Sequence, residues 1–351
     1  MHAFLRRLGV RLPIIQAPMA GVQDSALAVA VSNAGGLGSL PCAMLGLDAL
    51  RAAFEALRAG TTNPVNVNFF CHTEASPDPA REAAWRALLA PYYAEFNLES
   101  TTPGGPARSP FSAEVANIVE EFRPAVVSFH FGLPSEQLLQ RVRGWGAAVL
   151  SSATTVDEAR WLEACGVDAI IAQGFEAGGH RGTFLTDDLT TQVGTLALVP
   201  QIVAAVKLPV IAAGGIADAA GVKAALALGA VAVQVGTAYL LCPEATTSAV
   251  HRAALKSEAA RHTALTNLFS GRAARGIVNR FIRERGPMSD AAPAFPLATA
   301  AVAPLRAAAE KLGSGDFSPL WAGQNATGCR EIPAADLTRE LAAAVVDHSG
   351  V

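Results

Sequence analysis

Eight short, near-continuous apolar segments, separated by helix-like stretches, constrain this chain more than any other feature of its sequence. They lie at 14–17, 36–40, 65–70, 125–129, 147–151, 169–173, 210–213 and 232–235. None alternates cleanly between apolar and polar residues, so they read as strands buried on both faces, as in a parallel sheet. Helical patterns fill the gaps, for example at 49–59, 156–165, 196–206 and 218–228. Strand and helix repeated eight times admits a closed barrel or an open doubly wound sheet. Glycine placement favours the barrel. Gly174, Gly178, Gly179, Gly214, Gly215 and Gly236 follow late segments, whereas a dinucleotide-binding open sheet carries its glycines after the first strand. The GGLGSL run at Gly35 leads into a strand, not out of one. The fold class expected is α/β, a (β/α)8 TIM barrel.

At 351 residues the chain exceeds the roughly 250 that a bare barrel needs. The surplus falls in two places. Residues 73–111, rich in Pro, Ser and Thr, read as a helix plus a surface loop and carry no motif. Residues 243–296 read as an inserted helical subdomain over the barrel mouth, which leaves 1–242 and 297–351 for the barrel. A helix at 301–312 is expected to complete the outer ring.

Charge narrows the partners. Lys and Arg number 27 against 30 Asp and Glu, a net charge of -3, so no broad basic field exists to attract nucleic acid or anionic lipid. A small-molecule substrate is expected, and a homodimer is left open. The five cysteines are scattered without a CxxC pair, which argues against a disulfide framework and a zinc site and fits a reducing, cytoplasmic location. The apolar run near the start is broken by Arg11, Pro13 and Gln16, so no signal-peptide core forms. The stretch 222–241 is apolar, but Lys223, Gln234 and a change of character at Gly229 make it a helix followed by a strand, not a membrane span. His72, His130 and His180 form the one plausible metal set, and without an HxH or HExxH pattern no metal is expected.

Barrel enzymes place chemistry at the C-terminal ends of their strands and often grip a phosphate after strands seven and eight. In AAGGIAD, Gly214 and Gly215 leave the backbone open to an anion and Asp218 can cap the next helix. Gln234, Val235, Gly236 and Thr237 repeat the arrangement one strand later, with a hydroxyl added. Ordinary tight turns would explain either loop alone. The run AQGFEAGGHRGTF places Gln173 at a strand end, where its amide can meet a ring edge. Gly178 then lets the chain pass near a planar ligand, and His180 sits where a histidine titrating near neutral pH suits acid/base work. A solvated loop histidine is the alternative. At the first strand exit, Ala17, Pro18 and Met19 can present main chain to a ring system, although core packing accounts for Met19 equally well. Asn68 ends the third strand, and His130 ends the fourth as a tentative substrate residue or a structural histidine.

QAPMAG, the Asn68 segment, GFEAGGHRG, PVIAAGGI and AVQVGTAYL, in this order and spacing, closely resemble nitronate monooxygenases of the class I type, formerly called 2-nitropropane dioxygenases. FSGRAARGIVNRF and LWAGQ resemble later segments of the same family. The resemblance implies non-covalent FMN and oxidation of alkyl nitronates, such as propionate 3-nitronate, by O2 to a carbonyl compound and nitrite. It implies FMN contacts from the Ala17–Met19 backbone, Asn68, Gln173, Gly178, Gly215 and 234–237, and an active-site histidine at His180. On that reading His180 binds the nitronate oxygens electrostatically and removes the α proton of a neutral nitroalkane. The competing reading is an FMN-dependent NAD(P)H reductase of quinones or enoyl thioesters.

Overall fold

The structure, a computed structural model, describes residues 2–99 and 108–346. Part of the 73–111 excursion and the extreme C-terminus therefore lie outside the described residues. Eight parallel strands form one sheet: β1 (Ile14–Gln16), β2 (Gly38–Pro41), β3 (Val65–Phe70), β4 (Val126–His130), β5 (Ala148–Ala153), β6 (Ala169–Gln173), β8 (Val210–Ala213) and β9 (Ala232–Val235). Neighbours follow chain order, and β9 returns to β1 with Ile14 opposite Val233. A parallel bridge between Ile15 and Leu37 joins β1 to the start of β2 and closes the barrel. All eight expected strands are present, because each apolar run is walled in on both faces. Ile14, Val127, Val149, Ile170 and Val233 are fully buried.

The helices between the strands start where short polar side chains satisfy free N–H groups. Asp24 accepts from the Ala26 N–H ahead of α2 (Ser25–Ala34), Thr155 caps α7 (Val156–Ala164), and Asp218 caps α9 (Ala219–Ala227). The apolar stretch 222–241 is the end of α9 followed by β9, and no helix among the described residues is long and apolar enough to cross a membrane. All five cysteines are free.

Two expectations need correction. The 243–296 segment is not wholly helical. Besides α10 (Ala249–Leu255) and α11 (Arg280–Arg285) it contains β10 (Thr263–Thr266) and β11 (Ala274–Ile277), which pair antiparallel. β11 also pairs with the two-residue β7 (Gly179–His180), so the insertion grips the histidine loop through a three-stranded sheet. Secondly, the helix expected to complete the ring, α12 (Ala298–Lys311), packs on α4 (Pro79–Glu95) instead. Trp85, Leu89 and Tyr93 of α4 share an apolar cluster with Phe269, Phe281, Leu305 and Phe317. The place in the ring goes to α13 (Ala334–Val346), which packs on α2 and α9. The second body is thus a cap assembled from two distant stretches, α4 and the run from β10 to Phe317.

Candidate active site

The strand ends and the cap enclose a cleft at the C-terminal face of the barrel, where barrel enzymes hold their ligands. Of the residues singled out in the sequence, Ala17, Pro18, Met19, Asn68, His130, Gln173, Gly178, His180, Gly214, Gly215, Gln234, Gly236 and Thr237 all line it. Val235 does not. Its side chain is buried in the barrel core, and its carbonyl accepts from the Ala17 N–H at 2.8 Å.

At one end of the cleft, two loops present backbone. Gly214 (φ 121°) and Gly215 (φ 72°) occupy conformations that side-chain-bearing residues avoid. Asp218 Oδ1 accepts from Gly221 N–H, fixing the start of α9 beside them. Asn325, from the segment after LWAGQ, donates to the Gly215 carbonyl at 3.1 Å. Thr237 Oγ1 accepts from Gly323 N–H, which leaves its own proton free to donate. Gly178 also has a packing reason to be small: a Cβ there would lie 2.5 Å from the Gly323 nitrogen, so this glycine makes room for the neighbouring backbone.

Three amides differ in their commitments. Gln173 Nε2 donates to the His180 carbonyl at 3.0 Å and its Oε1 accepts from Gly182 N–H at 2.8 Å, so this side chain also shapes the histidine loop. Asn68 Nδ2 donates to Ser128. Gln234 Oε1 lines the cleft, buried, with no protein partner. An unpaired buried carbonyl oxygen is costly, so a ligand donor is the natural complement.

His180 is held from several sides. Its backbone pairs with β11, opposite Ala274. The next residue, Arg181, is fully buried and donates to the carbonyls of Gln173 and Gly174 at 2.7 and 2.6 Å. Buried Glu158 accepts from Phe184 N–H at 2.7 Å and from Thr154, which anchors the far end of the loop. The imidazole packs against Phe295 and Trp321, with centroids 5.2 and 5.5 Å away. Nε2 lies 2.8 Å from Ser270 Oγ, and Ser270 can donate in turn to the Arg272 carbonyl.

The expectation that His180 titrates near neutral pH does not survive this setting. Burial first, then the positive charge of Arg108, and to a lesser extent His130, Arg272 and His72, push it well below the ordinary histidine value. His180 is therefore neutral near pH 7, so what its ring can offer an anion is a hydrogen bond and not its own charge. His130 is pushed down to about 4, chiefly by burial. Its Nδ1 meets Ser152 Oγ at 3.0 Å and its Nε2 lies 3.3 Å from the His180 carbonyl. A carbonyl only accepts, so the His130 proton sits on Nε2 and this ring supports the neighbouring loop. No group of His, Cys, Asp or Glu among the described residues could hold a metal ion.

Sequence reasoning missed Ser270, Phe295, Trp321, Arg108 and His251, all of which reach the cleft or His180 from the cap or the excursion. None belongs to a motif at a strand end, and only the paired FSGR and LWAG segments hinted at two of them.

The comparisons with known proteins agree with this geometry. The family model described as "Nitronate monooxygenase" matches residues 3–344. A nitronate monooxygenase of Pseudomonas aeruginosa is 47% identical over 341 residues, 96% of this chain and 97% of that protein. One from Paraburkholderia phytofirmans is 45% identical, covering 97% and 94%. Among solved structures, a nitroalkane oxidase from Streptomyces ansochromogenes superposes with a TM-score of 0.89 at 39% identity over 98% of each chain. FabK from Thermotoga maritima gives 0.71 at 26% identity, covering 99% of this chain and 96% of its own. A barrel whose sixth strand leads into a clamped, neutral histidine, with these relatives over nearly its whole length, is an oxidoreductase, and the chain belongs to the nitronate monooxygenase family.

Proposed function

We propose that this chain oxidises alkyl nitronates, propionate 3-nitronate among them, with molecular oxygen to a carbonyl compound and nitrite, using non-covalently bound FMN. The observation that carries the reading is the neutral His180, with one ring nitrogen held by Ser270 and the other unpaired among the described residues, in a cleft that ends in two glycine loops. FMN fits the residues present. The loops at Gly214–Gly215 and Gly236–Thr237, with the start of α9, would hold its phosphate. Gln234 Oε1 would take a hydrogen bond from it, which supplies the missing donor. FMN, when bound, supplies the one-electron acceptor between nitronate and oxygen.

The remaining chemistry belongs to side chains. When Ser270 donates to the Arg272 carbonyl, it accepts the His180 Nε2 proton, and the Nδ1 lone pair is free to take the α proton of a neutral nitroalkane. When Ser270 turns its proton to Nε2, Nδ1 carries the hydrogen and donates to a nitronate oxygen. A serine rotor thus lets one neutral imidazole serve as base or as donor. Positive potential for the anion comes from Arg108 and Arg272, the two arginines that act on His180.

The test is the absorbance spectrum of the purified protein, followed by anaerobic mixing with NADH. The reading expects flavin bands that NADH bleaches slowly. A colourless protein would overturn the cofactor, and rapid bleaching would overturn the reaction in favour of a reductase.

A further inference from the structure

Behind the histidine loop lie two fully buried charged side chains that do not touch: Glu158, in the first turn of α7, and Arg181, next to His180. Every hydrogen-bond partner of either, among the described residues, is a neutral group. Burial and the nearby Arg275 pull Arg181 down to about 10, and Glu158 acts the other way. Buried charges out of contact are costly unless something connects them. Here neutral side chains do. Arg181 Nε and Nη2 donate to Gln192 Oε1 at 3.1 and 2.8 Å, Gln192 Nε2 donates to Thr154 Oγ1 at 3.1 Å, and Thr154 Oγ1 donates to Glu158 Oε2 at 2.7 Å. All the donors point one way, from cation to carboxylate, so each bond polarises the next.

A second observation ties this series to His180. Glu158 Oε1 accepts from the N–H groups of Phe184 and Leu185 at 2.7 and 3.4 Å, and Oε2 accepts from Thr154 N–H at 2.6 Å. The carboxylate therefore faces donors only, and an amide in its place would turn N–H against N–H. At the other end Arg181 holds the carbonyls of Gln173 and Gly174, and the Gln173 side chain donates to the His180 carbonyl. Residues 180–185 are thus gripped at both ends by opposite charges whose balance runs through Gln192. Neither Glu158 nor Gln192 lines the cleft.

We infer that Glu158 and Gln192 are positioning residues for His180: acting through Thr154 and Arg181, they fix the loop that carries the imidazole and so its aim at the substrate. The inference rests on the nitronate-oxidising reading and adds to it two residues that touch neither substrate nor cofactor. A hydrogen bond or proton transfer made by one ring nitrogen is lost by a displacement of about an ångström, and this loop has opposite charges on either side to prevent it. Removing the carboxylate leaves Arg181 buried without its balancing charge and the Phe184 and Thr154 donors competing for one oxygen.

The experiment is a double-mutant cycle on the FMN-loaded protein, with kcat/KM for propionate 3-nitronate measured in the wild type, Glu158→Gln, His180→Asn and the variant carrying both. Glu158→Gln alone should lower kcat/KM about 5–30-fold, part of the worth of a hydrogen bond to a charged group. In the His180→Asn background the same substitution should cost less than about twofold, because a residue that acts through the imidazole has nothing left to position. An equal fall in both backgrounds would mean a merely structural role and overturns the inference, as does no fall in either. Where Glu158→Gln fails to fold, Gln192→Met, which leaves the carboxylate in place, runs the same cycle with a smaller fall and the same dependence on His180. Hydrogen exchange gives a readout independent of turnover: the amides of 182–185 should exchange faster in Glu158→Gln and in Gln192→Met while FMN stays bound, and unchanged exchange overturns the inference. A wild type that turns over no nitronate would sink the nitronate reading, and the exchange rates would still decide whether Glu158 and Gln192 fix the loop.

Discussion

The barrel wall and the cap meet around one cleft but contribute different chemistry to it. The wall supplies backbone and amides: the glycine loops after β8 and β9, and the strand-end residues Asn68, Gln173 and Gln234. The cap and the excursion supply the groups that surround His180, with Ser270 on its Nε2, Phe295 and Trp321 against its ring, and Arg108 as the largest charge acting on it. On the proposed function, the difference teaches that cofactor retention and substrate handling would be separable. The wall is one continuous sheet with its own core, whereas the cap is tied together by α4, α12 and the strands between them.

The largest effect that would test this division is catalytic. His180→Asn should lower turnover of a neutral nitroalkane by about 10²–10⁴-fold, the usual contribution of a positioned base, and cost far less on the preformed nitronate. Steady-state rates on both substrate forms decide it; equal losses would leave His180 a binding role only. Next in size is a stability effect confined to the cap. Trp85 is 1% exposed in the cap cluster, so Trp85→Ala should cost about 3–5 kcal/mol locally. Hydrogen exchange should show cap amides opening while FMN stays bound. Joint loss of cap protection and FMN would mean that the two regions are one unit.

A smaller effect falls on the wall. At φ 72°, and with a new Cβ 3.3 Å from that of Glu176, Gly215→Ala should cost about 1–2 kcal/mol and weaken FMN binding by about 5–30-fold, read by fluorescence titration, with the KM for nitronate little changed. The smallest is a shift in pH profile. Because His180 is held below the ordinary value, activity on nitroalkanes should lose its base only at pH well under 6.5. Removing the Arg108 charge favours the protonated ring, so Arg108→Met should move this acid limb upward, and only by a fraction of a pH unit because burial remains. A downward shift would contradict the electrostatics.

How much could be read from the sequence follows the same division. The wall was legible because each strand is a local signal: a short run such as 169–173 has to be apolar throughout when both its faces are covered, and glycines mark where the chain turns at its end. The cap was not, because its assembly is non-local. An apolar stripe on 301–312 says that the helix is buried, but not that α4, some two hundred residues earlier, is what buries it. The strands at 263–266 and 274–277 carry Arg275 and lie among charged residues, so they read as helix until their pairing with each other, and of the second with β7, is seen. The titration of His180 was misjudged for the same reason. It depends first on burial beneath the cap and then on charges such as Arg108 and Arg272, none of them near it in sequence.

The most direct test of the central claim is oxygen uptake by the FMN-loaded protein with propionate 3-nitronate, measured together with nitrite release. The account predicts oxygen consumption accompanied by nitrite. A yellow protein that consumes no oxygen and releases no nitrite with any nitronate would contradict it.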